Sequence, residues 1–347
     1  MKLYKPIKLL FITLLLYMLV FAVGKSPGIA EWYITNIYPM TATILSFVSA
    51  LFPFSLYDLF MILLILAFIM LVILMILRKI KWGKGLRMMA YSVLFLIAWF
   101  YFAWGFAYFR QDFYTRCNIQ QTVFDADTFK SFAFDFAADA NNAYIHVSEI
   151  NKDSVNQKIE QQYEKLKEVL KIKYPNGKRK TKRMMYEFLY TKASISGYFG
   201  PFFNEVHVNN FALDMQYPFT LAHEKAHQFG VASEAECNLY AFIVCATSDD
   251  AQLRYSAYLS TLSYVLTNYR KTFPNEYRDL VGLIDKRIIS DVNTISNHWI
   301  SSQNQTINKA HREVYDTYLK TNQINTGIQN YSDVVSLLIS TYNGLVK

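Results

Sequence analysis

Apolar residues run almost unbroken through three stretches of the first hundred or so positions, then give way to mixed patterning. Residues 7–23 (IKLLFITLLLYMLVFAV), 57–77 (YDLFMILLILAFIMLVILMIL) and 88–109 (MMAYSVLFLIAWFYFAWGFAYF) carry Lys8, Asp58 and no charge, respectively. Each has about the 20 residues needed to cross the hydrocarbon core of a bilayer, so the pattern predicts three transmembrane helices. A cleaved signal peptide is the competing reading of the first run. No small-x-small site closes that run, and two further apolar runs follow it. A fourth run, 41–54 (TATILSFVSALFPF), is too short to span and ends near Pro53. It is expected to lie along the membrane surface or to pack on the spans.

From Arg110 onward charged and polar residues interleave as in a water-soluble domain. The fold class expected is mainly α. A membrane domain over 1–109 holds the three spans, and a helical domain over 110–347 carries a small β-hairpin or edge strand. Residues 127–145 and 150–173 read as helices, the second amphipathic through Ile150, Val155, Ile159, Tyr163, Leu166 and Leu170. Tyr174-Pro175-Asn176-Gly177 is a stop and turn signal. In 194–210, Gly197, Gly200 and Pro201 supply turns, and Val206 and Val208 flank His207 in strand-like alternation. Further helices are expected around 221–230, from Glu234, over 252–272, 276–298 and 306–322, and over 330–345 at the end.

Charge sets direction more than it suggests a partner. The net charge of +8 could point to nucleic acid, but its placement argues against that. Lys2, Lys5 and Lys8 precede the first span, and Arg78, Lys79, Lys81, Lys84 and Arg87 fill the gap between the second and third. Basic residues collect on the cytoplasmic side of spans, so the N-terminus and the 78–87 loop belong inside. The 24–56 loop, with one lysine, and everything after Arg110 then lie outside. The basic group from Lys178 to Arg183 reads as a solvated loop in preference to a binding patch. Cys117, Cys237 and Cys245 make no disulfide framework. Cys237 and Cys245 are eight apart on an expected helix, roughly 12 Å along its axis, beyond disulfide reach.

Residues 221–230 read Leu-Ala-His-Glu-Lys-Ala-His-Gln-Phe-Gly, an HExxH motif. Histidines four apart share one helix face, so His223 and His227 can hold one metal. Glu224 then faces a water at that metal, as general base and later as proton donor to the leaving amine. Zn2+ fits best, since imidazole and carboxylate hold it with one position left for water and substrate. Two surface histidines on an amphipathic helix are the bland alternative.

Gly230 is a natural helix stop, and Ser233-Glu234-Ala235-Glu236 has the form of a capping box opening the next helix. A hairpin there returns its first turn to His227. Glu234 and Glu236 compete as third ligand, and Glu234 is favoured if the cap occupies Glu236. Asn238, four residues beyond Glu234, could brace a ligand histidine from behind. Ser233 stands where a third histidine would complete HExxHxxGxxH, so a three-histidine site is not supported. The segment with Tyr198, Val206, His207 and Val208 could hold an extended substrate by main-chain hydrogen bonds, an ordinary structural hairpin being the alternative. His207, His311, Tyr315 and Tyr198 are candidates for stabilising the oxyanion.

Several stretches resemble a family of uncharacterised bacterial membrane proteins, found chiefly in Bacteroidetes-type and some Firmicutes-type genomes and known only as a domain of unknown function. They are Ile37-Tyr38-Pro39, Phe52-Pro53-Phe54-Ser55, Ser196-Gly197-Tyr198-Phe199 and Glu205-Val206-His207-Val208-Asn209, with Val314-Tyr315-Asp316 and Tyr318-Leu319-Lys320. The strongest are His223-Glu224 with Ala226-His227-Gln228, and Glu234-Ala235-Glu236-Cys237-Asn238. The resemblance covers nearly the whole chain and implies three spans and an outside zincin-like domain. Glu234-x-x-x-Asn238 is also similar to the gluzincin arrangement, in which a glutamate on a following helix is third ligand and an acidic residue four later supports the site. Asn238 replaces that acidic residue, and the spacing from His227 is short.

The function expected is a zinc metalloendopeptidase in the bacterial cytoplasmic membrane, acting on peptides or proteins at the outer face of the lipid bilayer. The alternative is a non-catalytic membrane-anchored protein that binds zinc or an envelope partner. An intramembrane protease is disfavoured, because Asp214, Lys225 and Gln228 lie in or beside the motif and no 20-residue apolar run contains the histidines.

Overall fold

Long apolar runs have no way to satisfy backbone polar groups in lipid except by helix formation, and helices are what they form. In the computed structural model, which describes residues 4–122, 125–174, 179–324 and 333–346, the chain is mostly helical with one small two-stranded antiparallel sheet. The first helices are α1 (Tyr4–Gly24), α2 (Pro27–Asn36), α3 (Tyr38–Ala50), α4 (Leu56–Ile76) and α5 (Trp82–Ala103). Helices α1, α4 and α5 are long and apolar enough to cross a membrane. The third was expected over 88–109 but starts earlier, through Lys84 and Arg87, and ends earlier. Trp104 leaves helical geometry at φ −166°, and Gly105–Phe109 form a 3-10 turn. The short run at 41–54 becomes most of α3, which packs on α2 and on span α5.

Contacts divide the chain into two units. One comprises Met1–Gln111 with Pro175–Arg179 and Gly200–Glu205; the other holds the remainder. Within the first unit, Arg110 grips Glu31 through two hydrogen bonds of 2.8 and 2.7 Å. Glu205 is buried at the start of α4. It accepts hydrogen bonds from Ser49 (2.7 Å), from Ser55 and from the backbone N–H groups of Leu56 (3.1 Å) and Tyr57 (2.8 Å). A carboxylate placed there satisfies orphan N–H groups of the helix and complements its dipole. Phe202 stacks on Tyr57 beside it, and Asn204 donates to the Tyr38 hydroxyl at 2.8 Å.

The second unit contains α6 (Phe113–Cys117), α7 (Ala126–Ala143), α8 (Lys152–Leu166), α9 (Glu187–Lys192), most of the hairpin of β1 (Gly197–Gly200) and β2 (Glu205–Val208), α10 (Tyr217–Gln228) and α11 (Glu234–Ala246). It continues with α12 (Ala251–Thr272), α13 (Tyr277–Leu283), α14 (Lys286–Ser302), α15 (Gln305–Thr321) and α16 (Val334–Leu345). Helix α11 is the centre of the core, packed by α8, α10, α12 and α16. Phe136, Phe242, Tyr258 and Tyr342 form an aromatic cluster within that core.

Departures from the expected elements have local causes. The helix expected over 150–173 stops at Leu166, because Leu170 and Ile172 reach the core from a turn in which Lys171 takes φ 50°. The single helix expected over 276–298 breaks at Ile284, and Asp285 caps α14 by accepting from the Arg287 N–H at 2.8 Å. Of the described residues of the basic group 178–183, Lys180 and Arg183 are exposed as in a solvated loop, but Arg179 and Lys182 are buried, and Lys182 donates its backbone N–H to the Val206 carbonyl at 2.8 Å. Residues 175–177 of the expected turn, Lys2, Lys178 and 330–332 lie outside the described residues.

Candidate metal centre

A helix can be made to stop where its last turn must present side chains, and glycine does this by taking positive φ. Gly230 has φ 83°; its N–H donates to the His227 carbonyl at 2.9 Å, and the Val231 N–H reaches back to Ala226 at 3.1 Å. The turn therefore aims the Val231 carbonyl at α10. Ser233 then caps α11, accepting from the Glu236 N–H, and the two helices pack as neighbours.

The closure fixes both imidazoles. His223 donates Nδ1–H to Asn238 Oδ1 at 2.8 Å, and His227 donates Nδ1–H to the Val231 carbonyl at 2.8 Å. With those nitrogens committed, both Nε2 atoms face one carboxylate oxygen: Glu234 Oε2 lies 3.0 Å from His223 and 3.5 Å from His227. Burial works against the Glu234 charge. Even so, the charge of His227 and hydrogen bonds from both rings hold the carboxyl well below its usual range. Tyr315 of α15 donates its hydroxyl to the other oxygen, Oε1. The second carboxylate considered from the sequence, Glu236, is paired with the buried Arg116.

Cys237 is also present. His223, His227 and Cys237 form a buried group that could hold a metal ion, with donor atoms within 4.8 Å of one another. Its sulfur lies 3.3 Å from Nδ1 of His227 and 3.5 Å from the Val231 carbonyl, on the ring edge already hydrogen-bonded to backbone. Burial pushes the Cys237 thiol up to about 12, with the charge of His227 pulling against that rise. Glu234 Oε2 faces both Nε2 atoms, so it offers this group a further donor.

Glu224 projects from the next position of α10, against β1. A Cβ added to Gly197 would fall 2.7 Å from Glu224 Oε1 and 2.8 Å from its Cγ, so only glycine lets the strand lie on this side chain. Burial pushes the Glu224 carboxyl up to about 7, with the two histidines pulling against that rise and Glu234 adding to it. β2 pairs with β1 on one side and bridges to Lys182 through His207.

The hairpin residues proposed to face substrate divide. Val206, His207 and Val208 are buried in β2, and the His207 ring lies under Tyr198 with centroids 4.2 Å apart. Tyr198 is itself stacked on Tyr190. Of the four candidate oxyanion donors, Tyr315 reaches Glu234, and His311 stacks on Tyr315 one turn away. Sequence reasoning put Cys237 close to the site but missed Gly197 as the seat of Glu224 and Arg116 as the holder of Glu236. The one local signal was Gly197, read there only as a turn residue.

Asn238 acts on the centre through His223, and a hydrogen bond to Tyr264 holds it in turn. Asn238→Ala is expected to weaken metal affinity by about 10–100-fold, as loss of such an orienting partner does. Competition against a chelator of known affinity checks this.

The profile of a family described as "Protein of unknown function (DUF3810)" matches residues 33–339 of the chain. No curated protein and no solved structure matches it.

Proposed function

We propose, for a chain that belongs to the DUF3810 family and takes no activity from that membership, a membrane-anchored zinc-dependent peptidase. The observation that carries this reading is the convergence of His223 Nε2, His227 Nε2 and Glu234 Oε2 beside the carboxylate of Glu224. Two imidazoles and a carboxylate suit zinc with a fourth position open. Zinc held there supplies a Lewis acid for the attacking water and the scissile carbonyl.

The chain's own residues do the rest. Glu224 takes the proton of the attacking water and returns it to the leaving amine. Gly197 brings β1 against Glu224, so an extended peptide pairing with that strand is delivered to the base by main-chain hydrogen bonds. Tyr315 holds Oε1 of Glu234, which keeps Oε2 turned toward the histidines. The spans tether the enzyme. With Lys79, Lys81, Lys84 and Arg87 on the cytoplasmic side, the unit beginning at Asp112 lies outside, facing envelope proteins or peptides.

Cys237 supports one other reading, a four-ligand structural zinc site with no catalytic task. Purified full-length protein in detergent, incubated with unfolded casein, separates the two. The peptidase cleaves casein, loses activity with a chelator and regains it with added zinc. Zinc-loaded protein that leaves casein intact, and that releases its metal on Cys237→Ser, would establish the structural site.

A further inference from the structure

The basic segment that the peptidase reading leaves unused leads into an exposed apolar one. Residues 180–192 read Lys-Thr-Lys-Arg-Met-Met-Tyr-Glu-Phe-Leu-Tyr-Thr-Lys. Phe188 is 70% exposed, Leu189 55% and Met185 44%. Three large apolar side chains within five residues, all turned outward, cost solvation unless something covers them.

This is not a frayed loop. Asn209 donates to the Thr191 hydroxyl at 3.0 Å, and the Asn304 N–H donates to the Lys192 carbonyl at 2.9 Å. Tyr190 stacks on Tyr198 with centroids 5.0 Å apart. One side of α9 is therefore anchored to the fold, while Phe188 and Leu189 project from the other.

One cation lies on the apolar trio and others line a cavity linked to the same helix. Lys192 sits over the Phe188 ring, 5.4 Å from its centroid. Lys152, Lys182 and Arg183 line a cavity of about 420 Å³ together with Thr181, Asn210 and Tyr217. Asn210 joins that cavity to α9, accepting from the Lys152 ammonium at 3.1 Å and donating to Glu187 at 3.2 Å. The cavity lining and α9 together carry Lys152, Arg183, Lys192 and the buried Lys182 against Asp153 and Glu187, four charges against two.

We propose that this face, Met185, Phe188 and Leu189 with their flanking cations, docks on an anionic lipid surface, and that the cavity takes a lipid headgroup phosphate. Apolar side chains that enter the acyl boundary beside Lys and Arg that meet headgroups are the pattern of an interfacial anchor. The occupant follows from charge complementarity and from the chain's own spans, which keep it at a bilayer. The inference needs no metal and stands apart from catalysis.

The test uses the full chain in lipid nanodiscs, with Cys117→Ser as background because Cys237 and Cys245 are buried. Spin labels are placed at Phe188→Cys, at Leu189→Cys and, as control, at the exposed Leu283→Cys of α13. Collision of each label with oxygen, which favours lipid, is compared with collision with a water-soluble nickel chelate. Labels at 188 and 189 should favour oxygen and the label at 283 the chelate. Adding phosphatidylglycerol to phosphatidylcholine should deepen the first two, and Lys152→Gln with Arg183→Gln should erase that gain. Chelate-favouring labels at all three sites in both lipids overturn the proposal. So does dipolar coupling between 188 labels in discs holding two copies, which assigns the face to a second copy of the chain. Equal depth in both lipids overturns the headgroup site.

Discussion

Glu224→Gln should bind metal as the parent protein does yet hydrolyse unfolded casein about 10²–10⁴-fold more slowly, the range that loss of a general acid–base commonly costs. The amide keeps the shape of the carboxylate, so its packing against Gly197 survives, as do the hydrogen bonds of His223 and His227 to Asn238 and Val231. What disappears is the ability to take a proton and give it back. Metal content and casein hydrolysis measured on the same preparation check both halves. Loss of metal along with activity would mean that Glu224 holds the centre together instead of serving as the base.

Glu160→Ala should destabilise the second unit by about 3–5 kcal/mol, the usual consequence of removing one partner of a buried ion pair. Lys225, between Glu224 and His227 in sequence, is buried to 1% exposure, and its ammonium is held by Glu160 of α8. Tyr174 also donates its hydroxyl to Glu160. Removing that carboxylate leaves a desolvated ammonium inside the helix that carries the metal ligands. Replacing both charges, Glu160→Gln with Lys225→Met, should recover most of the loss, because similar-sized neutral side chains avoid the desolvation penalty. Denaturant unfolding followed by tryptophan fluorescence reads both variants. A single variant as stable as the parent would show that the pair contributes nothing.

Legibility followed the range over which each constraint acts. The spans were readable because hydrocarbon demands a local run of apolar residues, although where α5 ends depends on Trp104 leaving helical geometry. The pairing of His223 with His227 was readable because helical periodicity puts positions four apart on one face. The placement of Glu234 and Glu236 was not, since the sequence offered two carboxylates two residues apart. Arg116, far upstream, takes Glu236, and Tyr315, far downstream, takes Glu234. Gly197 looked like a turn residue, and its tight approach to Glu224 depends on packing between strand and helix. Phe188 and Leu189 carried no periodic signal, so their exposure emerged only when the opposite side of α9 was seen to be anchored.

The most direct measurement is the metal content of the purified full-length chain by elemental analysis, comparing the parent with His227→Ala, Glu234→Ala, Glu236→Ala and Cys237→Ser. The account predicts one zinc per chain in the parent, in Glu236→Ala and in Cys237→Ser, with loss in His227→Ala and Glu234→Ala. Zinc retained without Glu234 but lost without Cys237 would contradict it, as would no bound metal in any form.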